Sequence, residues 1–437
     1  MFNSSALTKV QSIILVAVIV VASLGSAAYF LLSGQDQSSD TIKIGILADL
    51  DAALGGSAWQ SAVLAAEQIN AEGGILGRQV EVIGEDHDVE TSVDMNLVSS
   101  ALTRLLTYHK VDFVIGQVDG QAAFVSQDIV ADHEKILIAF TGTSNELSQR
   151  VIDNYATYKY YFRLLFNATS VFLGMTDSLL LLRENTDFNK VGYLAEDSVI
   201  NAGIIEGLDS VLSDVHDFDL LYRGTCPPGT VDFSSYFIAA EEAGVEVLIP
   251  LIWNIGSGIS FAKEWHNRES PVLIYGGVLP GASISESWDW TEGKCDNIIT
   301  PAFPVVIGYP LTGKTLAMRD DYINRWGETP TAFAGFVYDA IRFILPSAIM
   351  RAGTIDTDVV IEALEQTSIE TSQARNFVFT SSHDPLVGEN PNDPEADYTL
   401  VMLSQWQNGE QVPVYPKKIM EEAGATYTYP DWAGPWD

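Results

Sequence analysis

The residues best suited to handle a small solute stand together in the stretch 136–150, ILIAFTGTSNELSQR. Thr141, Gly142, Thr143, Ser144 and Asn145 place hydroxyls, an amide and a glycine directly behind an apolar run. Such a segment offers backbone N–H and side-chain O–H groups, which donate to an anion. Two readings stay open here: an anion-accepting ligand loop, or an ordinary connection in which Ser144 or Asn145 caps a helix starting at Glu146. Other chemistry is sparse. Asp86-His87-Asp88 follows a strand-like run and reads as a solvated loop rather than a metal site, and the six histidines show no zinc spacing. There is no G-x-S-x-G, no phosphate-cradling loop and no metal pair, so neither catalysis nor a cofactor is expected. Cys226 and Cys295 lack a recognisable histidine partner; in an external compartment they form one disulfide or remain two separate thiols. Asn167-Ala168-Thr169 is a candidate glycosylation sequon in what reads as an exposed segment.

An element has to position the loop. Residues 136–140 have the length and branching of a buried parallel strand, and in an open α/β sheet the loop after such a strand lies at the carboxyl edge, where ligands bind. Strand patterns precede it at 42–48, 80–84 and 111–116. Between them, helical spacing appears at 57–70 and 121–133, and Val93, Leu97, Ala101 and Leu105 mark a further helix. Glu72-Gly73-Gly74 ends the first helix in a tight turn. After Tyr160-Tyr161-Phe162-Arg163 the rhythm restarts, with strands at 191–195, 220–223, 245–251 and 272–275 and helices near 171–183, 202–212, 233–243 and 259–267. Segment 298–304 reads as extended, and helices return at 313–326, 334–352 and 356–366. Strands and helices alternating without hairpin signals predict parallel sheets covered on both faces. The remainder reads as closing strands and loops, with the proline- and acid-rich stretch 384–397 at the surface.

Residues 13–32 are almost wholly apolar and close to the roughly 20 residues that a bilayer core requires. Lys9 before them and Asp36 and Asp40 after them favour a cytoplasmic N-terminus and an external body. A cleaved signal peptide ending near Ser26-Ala27-Ala28 competes with an uncleaved anchor, which the continued apolar run to Leu32 favours. Residues 35–40 have the composition of a flexible linker. The 437-residue chain carries 58 acidic against 23 basic residues, a formal charge of −35. That charge argues against nucleic acid or an anionic membrane surface as partner.

Several stretches together resemble the extracellular solute-binding proteins of branched-chain amino acid ABC transporters, the type I periplasmic binding protein fold. They are Ile42-Lys43-Ile44-Gly45, the run from Glu67 to Arg78 (EQINAEGGILGR), Val114-Ile115-Gly116, Thr143 to Arg150, Val231-Asp232-Phe233-Ser234, and Pro330-Thr331-Ala332-Phe333 with Tyr338-Asp339-Ala340. The resemblance implies an α/β protein of two Rossmann-like lobes joined by a hinge, with the solute in the cleft between them. Lobe 1 would be 41–163 plus 304–378, and lobe 2 would be 164–303 plus 379–437, behind a signal anchor at 1–34 and a linker at 35–40. It also implies a small polar solute, delivery to an ABC permease and its ATPases, and a single-pass position on the cell membrane with the body outside. By position, Thr143 resembles the hydroxyl that receives the ligand carboxylate and Thr141 a donor of backbone groups. Gly120 stands where a serine is usual, beside Asp119; Trp253 and Phe333 fall at aromatic positions. The acid that normally pairs with the ligand ammonium is missing at Tyr275-Gly276-Gly277, so that charge would have to come from Asp119, Glu196 or Asp197, or the solute is a neutral amide or urea-like compound. A cell-surface interaction protein that keeps the fold without the ligand is the alternative.

Overall fold

The computed structural model describes residues 41–437 except 88–93, 118–119, 278, 280–283, 391, 394–396 and 435–437. The expected anchor and linker, Asp88 and Asp119 lie outside the described residues.

Short apolar runs become strands because both faces are covered. β1 (Ile42–Ala48), β2 (Val80–Asp86), β3 (Phe113–Gly116), β4 (Ile136–Ala139) and β5 (Tyr161–Arg163) form one sheet in the order β2-β1-β3-β4-β5, every pairing parallel. All four residues of β3 and of β4 are buried. Full burial of each isoleucine or leucine is worth about 1.5–3 kcal/mol. β6 (Lys190–Glu196), β7 (Asp219–Cys226), β8 (Val247–Leu251) and β9 (Leu273–Ile274) form a second parallel sheet, β7-β6-β8-β9. The two orders are the same pattern, and in each the order reverses beside the first strand, which opens a crevice at the carboxyl ends.

β10 (Ile299–Ala302) follows, then a two-stranded pair of β11 (Ser368–Ile369) with β12 (Phe377–Val378), then β13 (Met402–Gln407) and β14 (Glu410–Tyr415). β10, β13 and β14 form an antiparallel sheet, and a Tyr275–Ile299 bridge joins it to the end of β9. The cores are separate. One packs the first sheet with residues drawn from 42–164 and 305–379. Two others cover the faces of the second sheet and take in Leu403 and Trp406 of β13.

The helix Ala53–Ala71 ends where Gly74, at φ +81°, turns the chain so tightly that a Cβ would lie 2.0 Å from the Arg78 carbonyl oxygen. In the next helix, Met95–Arg104, Val98, Ala101 and Leu102 face inward while Leu97 is 41 % exposed, so the inward stripe runs one residue later than Leu97 suggests. The span Ala332–Ala352 is long and apolar enough to cross a membrane, yet most of it is buried in the core. It widens into a π turn at Ala340–Ile344, just before Pro346, whose missing N–H breaks the regular ladder.

Two expectations need correction. Cys226 and Cys295 are not bridged: both are free thiols buried in one core cluster, and burial pushes each up to about 11. A thiol held protonated in this way is a poor partner for exchange. The stretch 384–397 is at the surface only in part: Glu389, Asn392 and Asp393 are exposed, but the acids at both of its ends are buried. Asp397 pairs with Arg375 at 2.6 Å and with Lys418 at 2.9 Å, and Asp384 enters the site below.

Candidate functional site

The end of β4 delivers Phe140 and Thr141 as buried residues, after which the chain leaves the sheet. Ser144, not Asn145, caps the following helix Asn145–Asp153, its Oγ accepting the Glu146 N–H at 3.3 Å. Thr143 is therefore free of capping duty. It is half-buried, its carbonyl accepts the Ala168 N–H at 2.7 Å, and its hydroxyl has no hydrogen-bond partner among the described residues. Asn145 reaches Thr169, donating from Nδ2 to Oγ1 at 2.9 Å. The loop of the first sheet thus touches the start of the helix Ala168–Thr186, which packs on the second sheet. Phe333 joins the same place: Thr331 caps its helix, and its ring lies 5.5 Å from that of Phe140. Gly120 opens the helix Gly120–Asp132 at the carboxyl end of β3.

Behind the loop sits a side chain that its sequence position did not single out. Arg163 ends β5 with no exposed surface. Its Nε and Nη2 donate to Asp384 Oδ1 at 2.8 and 2.6 Å, and Nη2 also donates to Ser148 Oγ at 2.5 Å. Its Nη1 donates to the carbonyls of Gly142 and of Ser144, the latter at 2.9 Å. Burying an ion pair is costly unless the remaining donors and lone pairs are satisfied, and here every guanidinium nitrogen has a partner. The second Asp384 oxygen accepts from Asn167 Nδ2 at 2.9 Å, while Asn167 Oδ1 accepts the Ser170 N–H at 2.8 Å. Asn167, expected as an exposed sequon, is a half-buried joint with both ends of its amide in use. The only legible signal for this cluster was an arginine closing an otherwise aromatic strand.

At the carboxyl edge of the second sheet the chemistry differs. The Trp253 backbone N–H donates to Glu196 Oε2 at 2.8 Å and its indole N–H to Asn201 Oδ1 at 3.0 Å. Asn201 Nδ2 donates in turn to the carbonyls of Glu196 and Leu251, at 2.7 and 3.0 Å. Both Trp253 donors are spent, so the 37 % of it that stays exposed offers an apolar ring. Glu196 is 4 % exposed, and its Oε1 has no hydrogen-bond partner among the described residues. Gly277 has a packing reason for being glycine: at φ +66° it lies against β8, where a Cβ would meet the Pro250 carbonyl oxygen at 1.9 Å.

His87, expected in a solvated loop, is buried beside the first sheet with Nε2 at 2.8 Å from the Gln117 carbonyl. Burial holds its pKa below the usual histidine range, against the pull of Asp49 and Asp86. Among the described residues no group of three His, Cys, Asp or Glu could hold a metal ion.

Residues 41–388 match the family model described as periplasmic binding protein. A curated relative, Leu/Ile/Val-binding protein homolog 7 of Brucella melitensis, is 22 % identical over 397 residues, covering 88 % of this chain and 94 % of the relative. The crystal structure of the branched-chain amino acid transporter substrate binding protein LivJ from Streptococcus pneumoniae in complex with isoleucine aligns with a TM-score of 0.68 at 20 % identity, covering 86 % of this chain and all of that one. An ABC transporter solute binding protein from R. palustris in complex with benzoate aligns at 0.66 and 14 % identity, covering 85 % and 95 %. The chain belongs to the periplasmic binding protein family, with its type I α/β fold, and is a solute-binding protein rather than an enzyme.

Proposed function

We propose that this protein captures a small amino-acid-like solute between two lobes outside the cell and hands it to an ABC permease. The two sheets with their helices are the lobes, divided near 163, 303 and 378, and the three chain crossings between the separate cores are the hinge. The solute carboxylate sits on the Thr141–Thr143 loop. Phe333 and Trp253 flank the apolar part, and Glu196 supplies the negative charge that faces the ammonium. Residues 1–34 anchor the body to the membrane, with 35–40 as tether.

One observation carries this reading: the loop after β4 offers donors, whereas the corresponding edge of the second sheet holds a buried carboxylate with one oxygen lacking a partner among the described residues. A carboxylate left this way favours a cation as its companion, because a buried unpaired charge is costly. The related structures point the same way for the other charge. Isoleucine and benzoate, the solutes held by the two relatives above, share a carboxylate and differ in the ammonium.

The test is thermal shift of the full-length chain against branched-chain amino acids, benzoate, leucinamide and urea, with mass spectrometry of small molecules released on unfolding. A ligand at one hundred times its Kd stabilises by about 2.7 kcal/mol, and amino acids are expected to do so. Stabilisation by urea or amides alone would replace the amino-acid reading. No stabilisation together with no released solute would favour an interaction protein that keeps the fold.

A further inference from the structure

We propose that Arg163 is a positioning residue: it turns two backbone N–H groups of the loop toward the solute and so sets the preference for a carboxylate. This rests on the reading of the loop as the carboxylate site. Arg163 Nη1 holds the carbonyls of Gly142 and Ser144, the residues on either side of Thr143. In a trans peptide the N–H of the next residue points opposite to the carbonyl. Drawing these two carbonyls inward therefore aims the N–H groups of Thr143 and Asn145 away from the guanidinium. Neither N–H has a backbone acceptor among the described residues. The guanidinium never touches the solute. It is fixed by Asp384 and Ser148, and Ser148 Oγ itself donates to Asp384 Oδ1 at 2.6 Å.

The planar fork is what the geometry needs. Five donors set in one plane reach two carbonyls on one side and a carboxylate on the other, and a lysine ammonium cannot span both. Asp384 also takes the Asn167 Nδ2 hydrogen bond, so the cluster that shapes the loop is joined to the helix Ala168–Thr186 of the other half. Loop geometry and the first chain crossing are consequently held by the same buried charges.

The experiment compares wild type with Arg163→Lys in the full-length chain by hydrogen exchange without any solute, and by calorimetry with L-leucine and with leucinamide, which lacks the carboxylate. In the variant, exchange of the peptide 141–150 is expected to rise at least tenfold while strands β1, β3 and β6 are unchanged. The leucine-over-leucinamide preference is expected to fall at least tenfold. A uniform rise in exchange, or equal weakening of both probes, would mean that Arg163 only stabilises the fold and would overturn the proposal. If wild type binds neither probe, the carboxylate reading fails by itself, and the solute-free exchange still decides whether Arg163 holds the loop. Should Arg163→Lys not fold, Ser148→Ala removes one neutral partner of the guanidinium and is expected to give the same local pattern at about threefold. An unchanged 141–150 peptide there would overturn the proposal.

Discussion

At the end of β4 a buried arginine stands behind a loop of hydroxyls and amides; at the ends of β6 and β8 a buried glutamate stands beside a tryptophan. The two edges come from the same strand order, so the difference between them owes nothing to topology. It owes everything to which charged side chain the fold encloses and what neutralises it. Arg163 meets Asp384 within the first edge and leaves that edge with N–H groups to offer. Among the described residues Glu196 meets one N–H on one oxygen only, and so keeps a demand for positive charge. On the proposed function, a solute carrying both charges answers both edges.

Breaking the enclosed pair should have the largest effect. Asp384→Ala strands a guanidinium without exposed surface and is expected to cost about 3–5 kcal/mol in urea denaturation. The exposed Arg325–Glu67 pair, at 3.3 Å, should lose at most about 1 kcal/mol on Glu67→Ala. Similar losses at the two sites would dissolve the distinction between enclosed and surface charge.

A further buried carboxylate sharpens the contrast. Asp339 accepts the Ser372 and Gln373 N–H groups at 2.9 and 3.1 Å, and burial raises its pKa to about 6 from 3.8. The native state then holds this proton more tightly than the unfolded chain does. Its stabilising contribution is full below the unfolded pKa and is lost as pH rises through about 6, a change on the order of 3 kcal/mol. Urea midpoints from pH 4 to 7 should fall more steeply for wild type than for Asp339→Asn; parallel curves would contradict the assignment. Gly277→Ala, at positive φ and against the Pro250 carbonyl, is expected to cost about 2–3 kcal/mol by the same denaturation assay. An unchanged midpoint would show that β8 yields there.

The smallest effects bear most directly on solute. Glu196→Gln keeps an acceptor for the Trp253 N–H but removes the charge. Amino-acid affinity should fall about tenfold, near 1.4 kcal/mol, with benzoate affinity moving less than twofold. Thr143→Ala removes a hydroxyl that makes no hydrogen bond among the described residues, so affinity should drop by about 1 kcal/mol with an unchanged melting temperature. A fall in melting temperature without a loss of affinity would return Thr143 to the scaffold.

The sequence by itself determined the elements. Apolar runs such as 42–48 and 136–139 can only be buried, and alternation with helical spacing leaves little besides parallel sheets covered on both faces. The loop at 141–145 was legible for the same local reason: small donors directly follow a buried strand. Ser144 as cap lay within the two residues expected, and the glycines at 73 and 74 announced their turn. Asp384 reads as surface because its neighbours are prolines and acids, and nothing local reports an arginine 221 residues away. His87 and Asn167 mislead in the same manner, since a hydrophilic residue belongs in water unless a distant partner meets it. The two cysteines share a core without a bond between them, which spacing could not reveal. Only the tertiary structure decided which charges are enclosed and which partner each meets, because burial is a property of the assembled sheets and not of any single stretch of chain.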